Sequence, residues 1–505
     1  MAFVKQDQVE VMEEASGSSR APLSEFRRLT VHLPRGEAEA TSRSIKINHG
    51  NSEDVLTITL NRTIRVPDNR DTNFLPPGLG AFPLYKVLDF ANRMPKEMAE
   101  KGGVFFPMYQ KEAMWIEFSA LAPFAIKVYV GGVNAVSGLP MTENEATKQK
   151  RLTMLKEGKQ IQDYMVVPGQ RWLDGIASED GKIRQFVAQP KGSGFSVEAQ
   201  VTGEEKVGGI QIEVIPTKRE LPEALNVRYT NRQNKVISRD IILQEKGITE
   251  HSTWLDLKRV LRDEFDIAIQ DQLLRSHDAG SRGYSNVKDG SKLGDYYFKP
   301  NETFDLNHCG RIPELFVEDV YYNQAYNPAA AHVFPPRQSS RNPPSKKVMA
   351  KSSEMRSSGV QEMGLAAGGR IKQSIKPDDQ PSSTWDIGAS IMFNIQILDA
   401  ESFAEVTGVP PQPSPINAQT YAQYDYPFFE IWGEENTGIK GDFSKVKSVA
   451  QIEADRARER GEGYEEEPSV PQRVSTITTF NSTFQPKNVM MKELEGMSFE
   501  FGDQL

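Results

Sequence analysis

Six histidines, a single cysteine and a few carboxylate pairs are the residues of this 505-residue chain best suited to chemistry. The histidines are His32, His49, His251, His277, His308 and His332, and no two stand three or four positions apart. Helical metal sites need that spacing, because it puts two imidazoles on one face. Cys309 follows His308 directly, but neighbours on a strand point to opposite faces, so the pair is poorly placed as nucleophile and base. One cysteine also excludes disulfides within the chain and thiolate-rich zinc sites. Gly192-Ser193-Gly194 lacks the flanks of a nucleophile elbow. Gly131 to Gly138 has no Lys-Ser or Lys-Thr ending and is no phosphate loop. Gly364 to Gly369, followed by Arg370 and Lys372, could form a backbone nest for an anion, although a flexible lead into a strand explains it better. Glu179-Asp180 and Asp378-Asp379 fall in turn-like sequence and suit solvated loops. No catalytic, cofactor-binding or metal-binding residue is therefore assigned, and an enzyme is not expected. A site assembled only in three dimensions, for instance from His49, Asp174 and Glu198, would restore one.

The elements around these residues are mostly short strands. Leu56, Ile58, Leu60, Ile64 and Val66 alternate over eleven positions, the period of a half-buried strand. Met114, Ile116 and Phe118 alternate likewise, as do Ile126, Val128 and Val130. A short helix is expected over 84–101, and a polar one from a Thr142/Glu145 capping box to about Leu155. Asp180-Gly181 marks a hairpin. Phe195, Val197, Ala199 and Val201 read as a strand paired with Ile210, Ile212 and Val214 across Gly208-Gly209. Such a series predicts an antiparallel, jelly-roll-like β-sandwich over 42–218, after a polar arm at 1–41. Residues 312–363 read as a linker, with six basic residues and one Glu between Arg337 and Arg356. Strands over 364–440, including Ile391, Phe393, Ile395 and Ile397, are expected to complete the sandwich. A charged helix and tail fill 441–505.

Residues 225–311 follow another pattern. Leu225, Val227 and Tyr229 alternate, a polar turn follows, and Val236 to Leu243 returns. Ser252 or Thr253 then caps a helix whose Trp254, Leu257, Val260, Leu261 and Phe265 cover an arc of about 140°. A short strand at 270–274 and a last one at 303–306 complete a β-grasp order. The blocks Gln-Asp-Gln-Leu-Leu at 270–274, Leu-Gly-Asp-Tyr at 293–296 and Asn-Glu-Thr-Phe-Asp-Leu at 301–306 resemble those of ubiquitin-like domains. The resemblance implies an α+β module inserted in a mainly β chain, recognised through a surface patch. The matching positions are Leu274 and Asn307, with Arg275 adjacent, so the usual receptor face is altered. His308-Cys309-Gly310-Arg311 closes the module and the chain continues, so conjugation through a free Gly-Gly end is excluded. Beyond the module, Pro-Met-Tyr-Gln-Lys-Glu-Ala-Met-Trp at 107–115 and Gly-Gly-Val-Asn-Ala-Val-Ser-Gly at 131–138 resemble blocks of uncharacterised proteins of filamentous fungi, over about 60–440. That likeness implies no activity.

The formal charge is −9, and across residues 225–308, 13 basic residues balance 13 acidic ones. Neither draws in nucleic acid or an anionic membrane. The acidic stretch at 1–14 lacks the apolar core of a secretory leader, so a cytoplasmic setting is expected. Tyrosines and phenylalanines crowd irregular sequence at Tyr321, Tyr322, Tyr326, Tyr421, Tyr424, Tyr426, Phe428 and Phe429. Aromatic side chains bury large area at low entropic cost, which suits interfaces. The expectation is a protein-binding, self-associating scaffold docking through Leu274, Arg275, Tyr424, Tyr426 and Phe428. Its rivals are an enzyme with a site between the sandwich and the 364–435 segment, and a sugar-binding sandwich using exposed Trp115, Trp172, Trp385 or Trp432.

Overall fold

The computed structural model describes residues 27–34, 41–50, 55–158, 160–230, 235–276, 288–296, 298, 303–308, 359–431 and 439–477. Strand outweighs helix by 35% to 22%, so the fold is mainly β. The chain divides into two compact units, one from Met1–Lys218 with Asn327–Ile477, the other centred on Arg219–Tyr326.

In the larger unit six strands lie side by side, all antiparallel: Leu29–His32, Ile45–His49, Val55–Thr63, Ala113–Ser119, Ile183–Pro190 and Glu362–Ile371. A second group runs Phe124–Val130, Ile210–Pro216, Ile391–Asp399 and Val104–Met108, the last pair parallel. The groups join where Glu362 and Met363 pair with Leu398 and Ile397. Alternation sends Leu56, Ile58 and Leu60 from the first group and Ile126, Val128 and Val130 from the second into one shared core. That arrangement is sandwich-like. Strands from both sides of residue 300 are thus neighbours in one core.

Several local expectations change. Residues 197–202 form a helix, Val197–Thr202, where a strand was expected. Ser196 caps it, its hydroxyl accepting from Ala199 N at 3.1 Å, and Gly203 ends it in the left-handed region at φ +81°. Val197 and Val201, four apart and so on one face of a strand, are equally about one turn apart on a helix. The edges of Ile210–Pro216 are taken by Phe124–Val130 and Ile391–Asp399. The 84–101 segment splits at Met94-Pro95 into a 3-10 turn, Val87–Arg93, and a helix, Lys96–Lys101. The polar helix is Glu145–Lys156, its capping box made by Asn144 and Thr147 instead of Thr142 and Glu145. Gly364 to Gly369 is no nest but the middle of Glu362–Ile371. A side chain at Gly369 would sit 2.3 Å from the Pro67 carbonyl oxygen, so glycine there serves close backbone approach.

In the smaller unit the strand order is Val236–Ile242, Ala224–Thr230, Thr303–His308, Gln272–Ser276. The outer pairs are antiparallel and the central pair parallel. Helix Trp254–Phe265 starts at a capping box of Thr253 and Asp256. Its Trp254, Leu257, Leu261 and Phe265 pack with Leu225, Val227, Ile241, Phe304 and Leu306 in a separate core.

Candidate protein-docking surfaces

Tyr424, Tyr426 and Phe428 lie on or beside the strand Pro427–Ile431, which pairs in parallel with Arg473–Ile477. They occupy three different depths. Phe428 is fully buried, with Tyr421, Ile64 and Val66 in its cluster, and is no docking residue. Strand alternation explains this, since a docking face cannot also be the core face. Tyr421 meets Phe428 edge-on at 5.4 Å and donates to the Pro427 carbonyl at 3.0 Å. Burial pushes its hydroxyl up to about 12. Tyr426 leans on Tyr421 at 5.3 Å and stacks with Tyr424 at 5.9 Å. Tyr424 is 66% exposed. The rings thus climb from core to solvent. Asp425, in the left-handed region at φ +55°, turns the chain between the two tyrosines. Arg473 holds that turn by donating to the Asp425 carbonyl and carboxylate at 3.2 Å.

Leu274 pairs opposite Leu306 and is only 6% exposed, inside the smaller core, so it cannot form a surface patch. The Arg275 side chain lies outside the described residues, although its backbone pairs opposite Asp305. Tyr321, Tyr322, Tyr326, Cys309, His277, His332, Trp432 and the 337–356 stretch also lie outside them. An exposed feature of the smaller unit is the Val236–Ile242 edge. No strand pairs with its outer side among the described residues, and Val236 is 54% and Ile242 42% exposed.

The groups that could have made an enzyme are spread apart. His49 lies beside the ring of Phe124, at one end of Phe124–Val130. Glu198 abuts Gly131, just past the other end, roughly 20 Å away at 3.3 Å per strand residue. Glu198 accepts from the backbone N–H groups of Lys206, Val207 and Gly208 at 2.6–2.8 Å. Asp174 accepts from Gln373 at 2.7 Å. Among the described residues no three His, Cys, Asp or Glu side chains are grouped to hold a metal ion. Of the tryptophans proposed for sugar stacking, Trp115 and Trp385 are buried and Trp172 is half-buried in a core cluster. Trp385 Nε1 donates to Asp378, which also accepts from Tyr164, so Asp378 is a structural hub and no solvated loop carboxylate.

The buried carboxylates hold distant segments together. Glu362 binds Lys101 and Lys191 at 2.5 and 2.9 Å. Asp68, its carboxyl raised by burial, accepts from Ala450 N at the start of helix Val449–Glu459. The acidic run past that helix is a clasp: Glu467 pairs with Arg65 and accepts from Asp68 N, and Glu466 accepts from Arg70 N. These partners stand about 400 positions apart, which is why alternation and composition gave no sign of them. Among the described residues no helix is long and apolar enough to cross a membrane.

Glu117 offers a test of this reading. Burial raises its carboxyl above the ordinary glutamate value of 4.5, opposed by a bond from Asn61 Nδ2 at 3.2 Å. Asn61 Oδ1, also buried, has no partner among the described residues. Glu117→Gln removes the half-buried charge and supplies a donor for that oxygen. A raised folded value means the folded state binds the proton more tightly, so ionised Glu117 lowers stability at neutral pH. The variant should melt above the wild type at pH 7, and the gap should close as pH falls below 4.5. Melting curves across pH check this, and an equal gap at pH 7 and pH 3.5 would refute the assignment.

The described geometry defines a class: a mainly β chain with a large sandwich-like sheet system and a small mixed sheet packed on one helix. No protein-family model matches this chain, and no curated protein matches it.

Proposed function

We propose that this chain is a non-enzymatic, protein-binding scaffold that associates with itself, and that residues 225–307 are a ubiquitin-like β-grasp unit serving as its docking module. The order of hairpin, capped helix, short strand and a last strand parallel to the first supports the β-grasp reading. The observation that carries the function is the seven-residue Val236–Ile242 edge. Natural edges are blunted by charges, bulges or covering loops. Here the two central charges are drawn toward the unit's own residues. Arg239 donates to Glu264 at 2.8 Å, and Asp240 accepts from Asn226 at 2.7 Å. Among the described residues the backbone edge and its apolar ends stay open to an added strand, in which main-chain hydrogen bonds supply affinity and side chains at alternate positions select the partner. The balanced charge of the module and the acidic chain fit protein partners, including further copies, in a cytoplasmic setting.

The test is the mass in solution by size exclusion with light scattering. The wild type should run as a concentration-dependent oligomer. Val236→Lys with Ile242→Lys, both at exposed positions, should shift it to a single chain without changing its melting. A wild type that stays monomeric across concentrations would sink the reading.

A further inference from the structure

We propose that the stacked Tyr424–Tyr426 pair is a binding site for an extended proline-rich segment, and that its occupant is the Val409–Ile416 segment of a second copy. This rests on the self-association reading and adds a second, unlike contact to it.

The receptor half is aromatic and pre-set. Tyr424 and Tyr426 stack at 5.9 Å with an interplanar angle of 23°, backed by Tyr421 and Phe428 and fixed by the Asp425 turn and Arg473. No hydrogen bond to the hydroxyl of exposed Tyr424 or half-buried Tyr426 is seen among the described residues, so both can donate to a backbone carbonyl. Flat aromatic faces beside hydroxyl donors suit proline. Its ring packs on them, and its carbonyl, flanked by residues without N–H groups, has few partners of its own.

The ligand half is in the same chain. Residues 409–416 read Val-Pro-Pro-Gln-Pro-Ser-Pro-Ile and form neither helix nor strand. Each proline fixes its own φ and pushes the residue before it to extended geometry, so the segment is held near polyproline II at little entropic cost. It is also anchored. Arg62 donates to the Pro413 carbonyl at 2.8 Å and to the Gln412 side chain at 3.3 Å. Val409, Pro410, Pro413, Ser414 and Ile416 remain exposed. Ligand and receptor are different surfaces of one chain, so the contact is head-to-tail, and repetition gives rings or filaments.

The experiment uses the full chain and a fluorescein-labelled peptide of residues 408–417, read by anisotropy and by light scattering. The peptide should bind the wild type saturably, and at least tenfold more weakly after Tyr424→Ala. A peptide with Pro410 and Pro411 changed to alanine should bind equally poorly. Excess unlabelled peptide should shorten the wild-type assemblies. Equal binding to wild type and Tyr424→Ala, or no saturable binding, overturns the site. If Val236→Lys with Ile242→Lys dissolves the assemblies while the peptide does not bind, this proposal fails and the edge-strand reading survives. If the peptide binds through Tyr424 but the chain is always monomeric, the second copy is ruled out as the occupant and self-association falls with it.

Discussion

Glu112→Ala is expected to destabilise the larger unit by about 3–5 kcal/mol, the usual cost of leaving a buried charge without its partner. Arg62 on Val55–Thr63 and Glu112, just before the adjacent strand Ala113–Ser119, face each other with both side chains almost wholly out of water. Arg62 Nε donates to Glu112 Oε1 at 2.6 Å, and Tyr109 N donates to Oε2 at 2.8 Å. Burial raises the Glu112 carboxyl, and the Arg62 guanidinium and then the Tyr109 N–H pull it down, so the desolvation is offset by the ion pair together with that hydrogen bond. Removing the acid strands the guanidinium and leaves Tyr109 N without its acceptor. Arg62 also anchors Gln412 and Pro413, so the proline segment should loosen. Replacing both partners together, with Arg62→Met and Glu112→Leu, should recover most of the loss, because a packed apolar pair carries no desolvation cost. Denaturant midpoints of the three proteins decide it. A single variant within about 0.5 kcal/mol of wild type, the range of ordinary surface changes, would show that the pair is not buried as described.

Trp254→Ala should remove about 3–5 kcal/mol from the smaller unit, the range for deleting a large buried aromatic side chain. Trp254 is 2% exposed, meets Tyr296 edge-on at 5.2 Å and stacks with Phe298 at 6.1 Å. Total stability of such a unit is typically about 5–15 kcal/mol, so the loss is a large share of it. The expected result is a lowered melting step and new proteolytic cuts within 219–311, with the transition of the larger unit unchanged. An unaltered step would mean that the helix does not pack through this face, and the proposed docking module would fall with it. Exposed Val236 and Ile242 serve as controls, since lysine there should leave melting alone.

The two outcomes draw on parts of the molecule that differed in how far they could be read. The Trp254 helix was legible because its apolar stripe, its Thr253 cap and the flanking alternation are local signals. The alternating runs around Ile58, Ile116, Val128 and Phe393 were legible for the same reason, and they suffice for a mainly β fold. Residues 195–201 misled because Val197 and Val201, four apart, share a face on a strand and on a helix alike, and the Ser196 and Gly203 caps decided between them. The glycines at 364–369 read as a flexible lead into a strand but lie within one, because a crowded strand also requires a missing side chain.

The candidate docking residues show the same divide. Aromatic crowding near 421–429 was visible in the sequence, but it could not rank Phe428, Tyr426 and Tyr424 by depth. Leu274 was placed on a surface by analogy, and its pairing with Leu306 turned it inward. The sequence alone determined the short strands and the amphipathic helix, which depend on neighbours within a few residues, and the lack of a disulfide within the chain and the acidic charge, which depend only on composition. Only tertiary structure decided that Glu467 clasps Arg65, that Arg62 and Glu112 are sealed from water, and that Tyr424 is exposed while Tyr426 is half-buried and Phe428 is core. Those outcomes follow from which strands become neighbours, and loop closure over hundreds of residues leaves no periodic mark in the chain.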